Sequence, residues 1–293
     1  NGLYRYTYIK GDGSGDSGVW EDLSMNLPNG GVFDRWNVQG SYDMLVRVRP
    51  GNSQEVYIGG TNVYRSSTGF SDSTHTEKIG GYKLKAQFPD VGVWANHHPD
   101  QHNLLFYPND GSKLLSSNDG GVFRSVSLSA SPFAWESLNN GYLTTQFYTV
   151  ALDHGTPESP LLVGGAQDNN QLMSVSMDPR APWTTVYFGD GSYCAMEDGA
   201  KLHYFSKQQG KMIKATVDGS GNRTAYTRID PIGGEKYLFI NPFALDPVDN
   251  NTMYLAGGKY LWRNNDLRSI PLSGNNDSIS FGWTKGSDSI PIR

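Results

Sequence analysis

Three aspartates on short turns carry the chemistry easiest to name in this chain. They are Asp119 in Asn118-Asp119-Gly120-Gly121, Asp168 in Gln167-Asp168-Asn169-Asn170, and Asp190 in Gly189-Asp190-Gly191. Two carboxyl groups about 5 to 9.5 Å apart can cleave a glycosidic bond, one as acid and the other as base or nucleophile. The same residues answer to hairpin chemistry, because Asp-Gly and Asp-Asn are what a two-residue turn demands. No Ser-His-Asp order, nucleophile elbow or arginine triad accompanies them. The catalytic residues stay open, with Asp119, Asp168 and Asp190 as candidates, and binding without turnover is the expectation.

His98, Asp100 and His102 stand at i, i+2 and i+4, which in an extended segment puts all three on one side. Imidazole and carboxylate at that spacing suit a divalent metal with an open position for water. They suit equally a hydrogen-bonded network with no metal, and the expectation is no cofactor, with the metal as the alternative. Gln146, Tyr148, Gln167 and Asn169, together with His98, Asp100 and His102, form the candidate ligand-binding set. The amides offer donors and acceptors to hydroxyls, and Phe147, Tyr148 and Tyr193 offer rings to stack on sugars.

The elements that must hold these residues repeat along the chain. Val56-Tyr57-Ile58-Gly59-Gly60 leads to Tyr64-Arg65-Ser66, Asp119-Gly120-Gly121 to Phe123-Arg124-Ser125, and Ala256-Gly257-Gly258 to Trp262-Arg263-Asn264. The turns that open the repeats, at positions 50, 108, 154, 198 and 247, lie 58, 46, 44 and 49 residues apart. That is the length of a four-stranded propeller blade. The expected fold is all-β: a β-propeller segment over 1–293 with an incomplete first blade over 1–40. Successive blades follow over 41–95, 96–142, 143–188, 189–230 and 231–293. Tryptophans near each fourth strand, Trp20, Trp135, Trp183 and Trp283, read as packing between blades. In a meandering blade the loop entering the first strand and the turn from second to third share a face, so the polar motifs should gather around a channel mouth. An open propeller exposes sheet edges, so the chain is expected to be completed by more of a longer polypeptide or by a neighbouring subunit.

Composition narrows the function classes. Net charge is -5 with no Lys/Arg block, so the footprint of a nucleic-acid binder is missing. No apolar run reaches the length of a membrane span. Cys194 is the single cysteine and reads as a small buried hydrophobe in a strand.

The motifs His98-Pro99-Asp100-Gln101-His102, Asn118 to Ser125, Gln146-Phe147-Tyr148 and Gly164 to Asn169 resemble the BNR/Asp-box class of β-propellers. That group includes sortilin-type domains and xyloglucanase-type glycoside hydrolases. The resemblance covers roughly residues 40 to 265, although Ser66 to Phe70 and Ser125 to Ser127 lack the box's aspartate. It implies a secreted, extracellular or cell-surface protein that binds glycan or protein through its channel face. A xyloglucanase-like glycoside hydrolase is the alternative, and a structural surface or filament subunit a further one.

Overall fold

The computed structural model describes residues 2–12, 14–87, 91–141 and 144–287. The chain forms two compact units, residues 1–143 and 144–293. In the first unit, Leu45–Arg49, Asn52–Gly59, Val63–Ser66 and Thr76–Gly80 make one four-stranded sheet. Gln101–Tyr107, Asp110–Asn118, Gly121–Ser125 and Glu136–Ser137 make another, and Tyr4–Tyr8 pairs with Gly18–Asp22 alone. The second unit holds three four-stranded sheets, Thr149–Leu152 to Thr184–Tyr187, Gly191–Met196 to Arg223–Arg228, and Phe243–Leu245 to Trp283–Lys285. In every sheet each strand pairs antiparallel with its sequence neighbour. The fold is thus all-β, built of repeated four-stranded antiparallel meanders.

The strands form where period-2 patterning meets turn chemistry. In Asp110–Asn118 the side chains of Leu114, Ser116 and Asn118 are buried while their alternates are half-buried, as a pleated strand requires. Its entry turn is closed by Asp110, whose Oδ1 accepts the Ser112 backbone N–H at 3.0 Å. Tyr57, Ile79, Leu104, Leu114, Phe123 and Trp135 fill the core of the first unit. Leu104 and Leu114 have no accessible surface, and burial of each contributes about 2 kcal/mol. In the second unit Met173, Phe205 and Ile213 occupy one core cluster, and Met212, Met253 and Leu255 another.

An ion pair marks the repeat. Arg5 faces Glu21, Arg65 faces Glu77 and Arg124 faces Glu136 across paired strands, at 2.6, 2.6 and 2.8 Å. Cys194 is buried in its strand, where burial pushes its thiol up to about 11, so it is not a nucleophile. The tryptophans divide. Trp135 is buried, Trp183 and Trp283 are half-buried, but Trp20 is 69% exposed with its ring 5.0 Å from that of Tyr6. Trp20 therefore does not pack in a core as its position in the repeat suggested, because it lies on the outer face of a two-stranded ribbon.

Candidate functional site

The densest group of carboxylates within one unit lies where the strand Gln101–Tyr107 begins. Its loop is stitched to the preceding sheet: Asp100 N–H donates to the Thr61 carbonyl at 3.1 Å and Gln101 N–H to that of Gly60 at 2.9 Å. Asp100 takes up φ +65°, a left-handed conformation uncommon outside glycine, which fixes its carboxyl in an inward position. Over it folds a turn of three successive left-handed residues, Gln39, Gly40 and Ser41, at φ 43°, 71° and 83°. That turn carries the Gln39 amide to Asp100, where Nε2 donates to Oδ1 at 2.5 Å. It also leads the chain to Asp43, which is fully buried.

Asp119 arrives from the hairpin between Asp110–Asn118 and Gly121–Ser125, its N–H donating to the Asp100 carbonyl at 3.3 Å. Oxygens of the Asp100 and Asp119 carboxyl groups lie within 4.8 Å of one another. His102 Nε2 bonds Asp119 Oδ1, the Tyr42 hydroxyl stands 3.5 Å from the same oxygen, and the Tyr42 and His102 rings meet edge to face at 5.2 Å. The Asp119 side chain is 11% exposed.

Charge crowding here moves protons. Burial first, then the negative charges of Asp43 and Asp119, push the Asp100 carboxyl up to about 8. Asp43 is also raised, by its burial, and a hydrogen bond with Asp100 opposes that rise. Neither Asp43 oxygen has a well-formed hydrogen bond among the described residues, and the Asp100 carboxyl and the Gln39 amide are the groups that face it. The surroundings thus favour the protonated form of Asp100 beside its acidic neighbours, the kind of asymmetry acid–base chemistry uses.

The second unit gathers a different set. The Tyr148 hydroxyl donates to Gln167 Oε1, and Asn169 Nδ2 donates to the Gln167 carbonyl at 3.2 Å. Asp190 Oδ1 accepts the Asp168 N–H at 3.1 Å, while Asp190's own N–H donates to Gln208 Oε1 at 3.1 Å. Asp190 thus ties the Asp168 turn to the segment of Gln208. Gln146 is exposed and Tyr148 is 46% exposed. Phe147 stacks on Trp183 at 5.2 Å and Tyr193 packs on the core around Tyr204, both rings half-buried.

Of the residues singled out from sequence, Asp100, His102 and Asp119 come together in the first unit, with His98 packed on Gly120 of the same turn. Tyr148, Gln167, Asp168, Asn169 and Asp190 come together in the second. His98, Asp100 and His102 do not converge as a ligand set: His102 bonds Asp119, His98 Nδ1 lies against the Pro99 carbonyl at 3.1 Å, and Gln39 holds Asp100. Asp43, Gln39 and Tyr42 were not singled out. They precede the first strand of the first full sheet, the same place in the repeat that His98 to His102 occupy in the next, so the repeat itself was the signal.

No family model matches the chain, and no curated protein matches it. Among solved structures, it is similar to the GH74 enzyme of Niastella koreensis. The identity is 14% over 94% of this chain and 43% of that one, with a TM-score of 0.33. It is also similar to an ancestral GH74 enzyme, at 14% identity over 90% of this chain and 34% of that one, with a TM-score of 0.32. The chain spans less than half the length of either. The assignment to the BNR/Asp-box class is corrected by these results, which return GH74 enzymes and no family model for that class. The turns that lack the box's aspartate are held by serine bonds. Ser66 Oγ accepts the Thr68 and Phe70 N–H groups at 3.2 and 2.9 Å, and Ser125 Oγ donates to the Ser127 carbonyl at 3.3 Å.

Proposed function

We propose that the chain is part of a secreted or cell-surface glycoside hydrolase, with the four-stranded sheets as blades of a β-propeller and Asp100 and Asp119 as its carboxyl pair. The observation that carries this reading is the buried Asp100 carboxyl with an oxygen within 4.8 Å of one of Asp119, in surroundings whose burial and negative charge favour its protonated form. So short a separation suits retention of configuration, in which the second carboxylate attacks carbon directly. Asp100 gives its proton to the leaving-group oxygen while Asp119 bonds to the anomeric carbon. Water then cleaves the glycosyl ester, with Asp100 taking the water's proton. His102 and Tyr42 orient Asp119.

Reducing-end release from xyloglucan, β-glucans and host glycans tests the reading. Release that disappears in both Asp100→Asn and Asp119→Asn is expected, and no release from any of these substrates would sink it.

A second reading, glycan binding without turnover, draws on the exposed Gln146 and on Tyr148 paired with Gln167 in the second unit. In that case Tyr148→Ala weakens retardation of the protein in polysaccharide-containing native gels, and no sugar is released.

A further inference from the structure

We propose that Asp43 is a positioning residue that keeps the proton on Asp100. The use of that proton as a catalytic acid rests on the glycosidase reading; the holding of it does not. Asp43 is the deepest carboxylate of the group, with no accessible surface, and neither of its oxygens has a well-formed hydrogen bond among the described residues. A carboxylate in such a place loses its hydration for little in return. Its largest compensation is the facing Asp100 carboxyl, provided that carboxyl carries a proton to donate, with the Gln39 amide and His102 adding less. Asp100 is the better holder of it, because its Oδ1 already accepts from Gln39 and leaves the other oxygen for the O–H.

The backbone supports the pairing. Asp43 N–H donates to the Val38 carbonyl at 3.3 Å, closing the left-handed turn that aims both Gln39 and Asp43 at Asp100. Three non-ideal conformations, Gln39, Ser41 and Asp100, are thus gathered around one carboxyl pair. The charged and titratable groups around Asp100 from the first unit's elements are Asp43 and Tyr42 on the turn segment, Asp119 on the hairpin, and His98 and His102 on its own strand and loop. Asp43 and Asp119 push toward protonation; the Gln39 amide pulls the other way.

The test is carboxyl 13C NMR with labelled aspartate, followed across pH in the intact chain. The Asp100 carbon is expected to titrate near pH 8, and the Asp43 carbon to register that step as a second inflection, as coupled sites do. In Asp43→Asn the Asp100 midpoint should fall by at least one pH unit. An Asp100 midpoint below 5 in the wild type, an Asp43 carbon with a single independent inflection, or an unchanged midpoint in Asp43→Asn would each overturn the inference. The first two outcomes need no variant, so a poorly folding Asp43→Asn leaves the test intact. Selective broadening of the Asp43 and Asp100 carbons by micromolar Mn2+ would also overturn it, by showing a cation where the proton is assigned. Carbons that titrate as expected in a protein that releases no sugar would uphold the role of Asp43 and remove the glycosidase reading alone.

Discussion

His97 lies nearly flat on Trp135, ring centroids 4.3 Å apart and planes 28° apart. The imidazole is part of a relay that ends at the candidate site. Its Nδ1 accepts the Gly81 N–H at 3.0 Å, so Nε2 is the protonated nitrogen and donates to Ser116 Oγ at 3.0 Å. Ser116 donates to Gln101 Oε1 and Gln101 Nε2 to the His98 carbonyl, at 3.1 and 2.7 Å. The core thereby fixes the loop that carries Asp100. Replacing His97 with Ala removes a stacked ring and leaves a buried N–H without its acceptor, for a loss of about 3 kcal/mol. Urea denaturation at pH 7 measures it.

The same histidine sets an acid limit on stability. Burial holds the folded His97 ring down to about 3 and that of His203 to about 4, whereas an unfolded histidine protonates near 6.5. Between those values the unfolded chain binds more protons than the folded one. Stability is therefore lost as pH falls from about 6.5 toward 3, at about 1.4 kcal/mol per pH unit for each ring. Denaturation midpoints at pH 6.5, 5.5 and 4.5 should decline, and the decline should shrink in His97→Phe.

Asp100 acts in the opposite direction. An unfolded aspartate ionises near 3.9, while the folded one keeps its proton to about 8, so stability is lost as pH rises through that window. Asp100→Asn removes this loss and should stabilise the protein at pH 8 by about 1 kcal/mol or more, with the amide still bonded to Gln39. The same change removes the proposed acid and should cut sugar release about 100-fold or more. Stability that falls together with activity would argue against a strained, proton-holding Asp100.

How much of this was legible in the sequence depends on which residues carried a local signal. Asp119-Gly120 and Phe123-Arg124 announce a turn and a third strand by residue type alone, and the meander sheets follow from them. Glu21 and Glu136, each after a tryptophan, are the partners of Arg5 and Arg124, so even the cross-strand ion pairs have a sequence trace. Asp43 has none of that kind, since a lone aspartate before a strand looks like any solvated loop residue. Its burial comes from three successive positive-φ residues, two of them not glycine, which local propensity does not suggest. The placement of His98, Asp100 and His102 on one side was not legible for a related reason. Alternation puts side chains on one side only where the segment is extended, and Asp100 is left-handed.

Lys214 ties the segment after the strand Tyr260–Asn264 to the sheet of Gly191–Arg228 within the second unit. Its buried ammonium donates to the carbonyls of Leu267, Arg268 and Ile270 at 2.8, 3.1 and 2.7 Å. Burial lowers its pKa, and Glu197 and Asp266 oppose that shift. Lys214→Met keeps the stem's packing but strands three carbonyls, each worth about 1 to 3 kcal/mol when buried. A loss of about 3 kcal/mol is expected, with hydrogen exchange accelerated first in residues 267 to 270.

Gly120 separates a role in geometry from a role in stability. A Cβ there would lie 2.4 Å from that of His98, too close for any rotamer to relieve, so the hairpin tip or the loop must move. The tip carries Asp119 and the loop carries Asp100, so moving one away from the other to relieve the clash opens the distance between them. Gly219 is the control: its Cβ would meet nothing within 4 Å and its φ is not left-handed. Gly219→Ala should therefore be neutral or stabilise by about 0.4 to 1 kcal/mol through the unfolded chain. Gly120→Ala should destabilise by about 2 kcal/mol, as overpacking does. It should also lower the Asp100 midpoint in the carboxyl titration, because a more distant Asp119 repels the charged form less. A Gly120→Ala protein with an unchanged Asp100 midpoint would mean that the His98 loop and the Asp119 turn move together, and that Asp43 and burial alone hold the proton.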